Sequence, residues 1–93
     1  MDRESDTEQS SRILVLWLDL REAMSAAKRA NPVITEMTPW NCEAEIVRGL
    51  WASLTHPEND DALREWLLMV GPGQEEAWAH EAIRESQRRK AKR

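Results

Sequence analysis

The 93-residue chain has no phenylalanine and no tyrosine, one cysteine, three glycines and four prolines. With a single cysteine, Cys42, no intrachain disulfide can form. Few glycines and prolines leave long stretches free of breakers, which suits helices. There is no excess of positive charge: 13 Lys and Arg stand against 17 Asp and Glu, a net −4. On average such a chain repels nucleic acid and acidic membranes. No apolar run approaches the roughly 20 residues of a membrane-spanning helix. The opening residues, Met-Asp-Arg-Glu-Ser-Asp, lack the apolar stretch of a secretory signal. A cytoplasmic location is expected. Ten of the 13 basic residues are Arg, which fits the coding bias of a GC-rich bacterial, phage or plasmid source.

All the aromatic weight falls on five tryptophans. Each brings a large contact area and an N–H that needs a partner when buried. Trp17, Trp51, Trp66 and Trp78 recur at core spacing, one per expected helix. Trp40 sits where the chain leaves a loop, and is the candidate exposed anchor for a partner.

The most unusual stretch is Ile13 to Leu20, Ile-Leu-Val-Leu-Trp-Leu-Asp-Leu. A helix on one core needs an apolar stripe and a polar remainder. Ile13, Leu16, Trp17, Leu20, Met24 and Ala27 share one face. Leu14, Val15 and Leu18 fall outside it and form a second apolar surface. That surplus is expected to be an interface, with a symmetric homodimer through helix 1 as the default form.

The expected fold is a compact all-α bundle of about four short helices, near residues 10–31, 39–54, 57–70 and 74–90. Residues 1–9 read as a disordered acidic tail, 10–86 as the helical domain and 87–93 as a basic tail. Ser10 or Ser11 can cap the first helix, and Asn31-Pro32 ends it. Thr38-Pro39 reads as cap and first residue of the second helix, whose stripe is Trp40, Ala44, Val47, Trp51 and Leu54, widened by Ile46 and Leu50. Gly49 inside it suggests close approach of another helix or a tolerated defect. Thr55 and Glu58 have capping-box spacing. Leu63, Trp66, Leu67 and Val70 form the third stripe, Gly71-Pro72-Gly73 ends it, and Trp78, Ala79, Ala82 and Ile83 form the fourth. The β-branched Val33-Ile34-Thr35 makes a small α+β fold the alternative.

No catalytic or metal signature emerges. Cys42, His56 and His80 lie on three different elements, without CxxC, HExxH or HxH spacing. Glu76 and His80, four apart, read as an ordinary surface pair. Cys42 near a helix start would be a somewhat reactive thiol. The acidic pairs sit at helix starts, where carboxylates are structural. Gly71-Pro72-Gly73 lacks the frame of a phosphate loop. The expectation is therefore a protein that is not an enzyme, with no cofactor, metal or small-molecule substrate. It acts as a small adaptor or regulator that binds another protein or a second copy of itself. The alternative rests on the basic end, where Arg84, Arg88, Arg89, Lys90, Lys92 and Arg93 face only Glu85. These residues could contact nucleic acid or an acidic partner. A helix-turn-helix over 62–89 is disfavoured, because Glu75, Glu76 and Glu81 would meet phosphate.

Overall fold

The computed structural model describes residues 2–33 and 36–92, with side chains from residue 8 onward. The described residues form four α-helices: α1 (Asp2–Ala30), α2 (Glu45–Leu54), α3 (Asp60–Met69) and α4 (Gln74–Ala91). A short 3-10 turn, Pro57–Asn59, joins α2 to α3. No strand occurs among the described residues. Ile34 and Thr35 of the β-branched segment lie outside them.

The 29-residue α1 is the spine. At 1.5 Å per residue it runs about 43 Å, most of the molecule's 48 Å long axis. Ile13, Trp17, Leu20 and Met24 recur at helical spacing and are buried along one side. Against them lie Val47, Trp51 and Leu54 of α2, Leu63 of α3, and Trp78, Ala79 and Ala82 of α4. Trp17 stacks on both Trp66 and Trp78, with centroids 5.9 and 6.4 Å apart and planes 19° and 13° apart. One indole of α1 therefore joins α3 and α4 to the spine. Such offset stacks add roughly 0.5–1.5 kcal/mol each beyond the area they bury. The indole N–H groups of Trp17 and Trp66 are buried without a partner among the described residues, a polar cost carried for apolar area.

Three boundaries differ from the sequence expectation, each for a local reason. First, α1 begins at Asp2 and not near residue 10. The stretch expected as a tail is thus helical backbone.

Second, α2 begins at Glu45 and not at Pro39. The Thr38 N–H donates to Asn41 Oδ1 at 2.7 Å, and the Asn41 N–H donates back to the Thr38 carbonyl at 3.2 Å. This side-chain turn competes with helix, so Trp40 sits on a turn. Ile46 is 67% exposed and does not widen the core stripe. A Cβ at Gly49 would meet nothing within 4 Å, so no helix approaches there.

Third, Thr55 and Glu58 form no capping box. Thr55 ends α2, its hydroxyl donating to the Trp51 carbonyl at 2.7 Å. His56 caps the 3-10 turn instead, Nδ1 accepting from the Glu58 N–H at 3.2 Å. Asn59 then donates to the Ser53 and Leu54 carbonyls at 2.9 and 3.1 Å. Two side chains thereby satisfy the open end of α2, as helix termini require.

Candidate interaction surfaces

The outer side of α1 carries the surplus apolar residues. Leu14 is 44% exposed, Val15 54% and Leu18 50%. Leu14 and Leu18 stand one turn apart, and Val15 flanks them. Ile13 and Trp17, each next to one of these, are 1% exposed. The split follows from helix geometry: consecutive residues are about 100° apart, so a run of apolar neighbours cannot all face one core. Glu22 and Ser25 continue the exposed side of α1 beyond the patch.

A second exposed apolar pair lies on α3, where Leu68 is 86% and Met69 71% exposed. Sequence reading passed over it, though the signal was the same. Trp66 to Val70 is a run of five apolar residues, too many for one stripe. Trp40 is 44% exposed, and its ring leans on buried Trp51 with centroids 5.5 Å apart at 46°. The indole expected as an anchor is half sheltered by its neighbour and half open to solvent.

The basic residues near the end of α4 divide into three groups. Arg84 pairs with Glu81 at 3.1 Å, and Arg88 pairs with Glu81 and Glu85 at 3.0 and 3.2 Å. Arg89 pairs with Glu85 at 3.3 Å and donates through Nη1 to the Ala52 carbonyl at 3.2 Å. It thus ties α4 to α2. Lys90 and Lys92 are exposed and enter no ion pair among the described residues. Arg93 lies outside the described residues. Most of the segment expected as a basic tail is helical, since α4 extends to Ala91.

In the C-terminal half of α4, Ser86 is buried and its hydroxyl lies 3.3 Å from Asp60 Oδ1 and 2.9 Å from the Ile83 carbonyl. Asp60, also buried, pairs with Arg64 at 3.3 Å. These contacts anchor α4 to the start of α3. At the other end of α4, Glu75 pairs with Arg21 of α1 at 2.9 Å.

The candidate chemical groups are scattered. Cys42 is buried and lies three residues before α2, in irregular chain and not on a helix terminus. It lines an apolar cleft of about 440 Å³ with Ala27, Ala30, Met37 and Ala44. His56 is committed to its cap, and Glu76 and His80 are both exposed. Among the described residues, no three His, Cys, Asp or Glu side chains gather as metal ligands. A polar cleft of about 480 Å³ opens between α1 and the start of α4, lined by Arg21, Ser25, Lys28, Glu75 and Trp78. Its Arg21 is already held by Glu75. No described helix is long and apolar enough to cross a membrane. Comparison with protein-family models, curated proteins and solved structures returns no match.

Proposed function

We propose that this protein is a small non-catalytic adaptor or regulator that acts by binding another macromolecule. Its contact surface is the outer face of α1, and the first occupant is a second copy of the chain. One observation carries the reading: Leu14, Val15 and Leu18 stay about half exposed on the helix that supplies the largest share of the core. Leucines one turn apart form a self-complementary strip, so a twofold axis across α1 would set each copy's Leu14 near the other's Leu18. Trp40, half exposed above Trp51, is a further partner contact. A lone unpaired cysteine suits the reducing cytoplasm.

Magnitudes set the kind of association. Covering the exposed halves of six such side chains, three from each copy, is worth on the order of 5 kcal/mol. Association costs about 4–15 kcal/mol in lost freedom. The pair is therefore concentration-dependent, not obligate, and the same face remains available to a different protein.

The test is the double substitution Leu14→Glu with Leu18→Glu, read by sedimentation velocity and circular dichroism. The expected result is loss of association with helicity unchanged, because both side chains point away from the core. Loss of helicity would place them in the fold's own interior and remove the basis of the proposal.

A further inference from the structure

We propose that the outer ridge of the C-terminal half of α4 binds the phosphate backbone of a nucleic acid without reading its sequence. Arg84, Arg88 and Lys92 follow at i, i+4 and i+8, each step rising about 6 Å along the helix. All three are exposed, while Ala82 and Ser86 on the other side of α4 are buried. A shallow groove lined by Glu81, Arg84, Gln87, Arg88 and Ala91 runs beside them, its one carboxylate, Glu81, already paired with both arginines. Against a whole-chain charge of −4, the stretch from Arg84 to Lys92 holds five cations and one carboxylate. The negative excess thus lies on the rest of the chain.

The ion pairs on this ridge position the guanidinium groups and leave donors open. Arg88 meets Glu81 and Glu85 through one nitrogen, Nη2, at 3.0 and 3.2 Å. Arg84 meets Glu81 through Nε and Nη2, at 3.2 and 3.1 Å. Each guanidinium carries five N–H donors in a rigid fork, so donors of both arginines still face solvent. The arginines are more than half exposed while Glu81 and Glu85 are only 22% and 29% exposed, so a phosphate would share the guanidinium groups from the solvent side and leave these pairs in place. Arg89 is not part of the ridge, because the Ala52 carbonyl and Glu85 hold it against the body.

A duplex presents phosphates continuously along its axis, about one charge per 1.7 Å, so a ridge roughly 12 Å long meets several of them at any register. No aromatic residue lies between Trp78 and the end of the chain, so base stacking contributes nothing. Binding is then electrostatic, independent of sequence and steeply salt-dependent. It involves a different helix from the self-association surface and stands apart from that reading.

The experiment is fluorescence anisotropy of a labelled DNA duplex titrated with the full chain, with polyglutamate as a competitor probe. Three phosphate contacts predict a log–log salt slope of about −3 and a loss of roughly 40-fold between about 50 and 200 mM salt. Lys92→Gln should reduce that slope by about one, and it leaves the fold alone because Lys92 has no ion pair to lose among the described residues. Combining it with Arg84→Gln and Arg88→Gln should abolish binding. Three results would each overturn the proposal: no binding at about 50 mM salt, a slope that ignores Lys92→Gln, or polyglutamate binding as tightly as the duplex.

Discussion

Asn59 is buried, and its amide donates to two carbonyls at the end of α2 while its own backbone stands at the start of α3. Its neighbour Thr55 closes the same helix end through the Trp51 carbonyl. Replacing Asn59 with Ala takes the side-chain donor from the buried Leu54 carbonyl, while the Ser53 carbonyl keeps the His56 N–H at 3.4 Å; the loss is about 1–3 kcal/mol. Urea unfolding should show that loss as a lower midpoint with an unchanged slope. Gly49 predicts the opposite sign. It lies inside α2 with open space where a Cβ would stand, so Gly49→Ala should stabilise the fold by about 0.5–1 kcal/mol. A loss of stability would mean that something approaches that face. Asn59 was not legible in the sequence as a structural residue. Its bonds reach back five and six residues to carbonyls whose positions depend on how α2 ends. The same holds for Asn41, whose side chain competes with the helix start that Thr38-Pro39 suggests.

At the scale of elements, periodicity carries most of the information. The four apolar stripes place four helices and name most of the core, because burial on α1, α2, α3 and α4 follows 3.6-residue spacing. What periodicity misses are ends, where side-chain bonds to the backbone decide. The sharp turn before α4 illustrates the converse. Gly73 adopts φ 134°, a conformation that side chains disfavour, and the Gly-Pro-Gly signal marks the boundary correctly. The stack centred on Trp17 gives the element-scale prediction. Trp17 is 1% exposed and is the shared partner of Trp66 and Trp78. Trp17→Ala should cost about 3–5 kcal/mol and remove most of the near-ultraviolet circular dichroism that stacked indoles produce. A stable variant with an intact near-ultraviolet signal would contradict the central place given to this ring. The second face of α1 was equally legible, since seven of the eight residues from Ile13 to Leu20 are apolar. Leu68 and Met69 follow from the same logic, applied to a shorter run.

The whole molecule is a long spine with three shorter helices gathered around it. The part of α1 around Gln9 and the basic end of α4 lie at the same end. Gln9 donates to the Glu58 carbonyl at 2.6 Å, and Ser86 lies against Asp60, so both helices pass the short turn between α2 and α3 there. The core-facing side of α1 is filled by its own chain, and its outer side is left apolar and half open. A chain this small buries a modest share of its surface on folding, and covering that face is a direct route to further stability. The number of chains in solution is therefore the quantity to measure. Light-scattering mass should be recorded during size-exclusion chromatography over a wide range of loading concentrations, for the wild type and the Leu14→Glu, Leu18→Glu variant. The wild-type mass should climb with concentration from one chain of 10.8 kDa towards twice that value, and the variant should stay at one chain throughout. A wild type that remains a single chain at every concentration, or a variant that associates just as well, would contradict it.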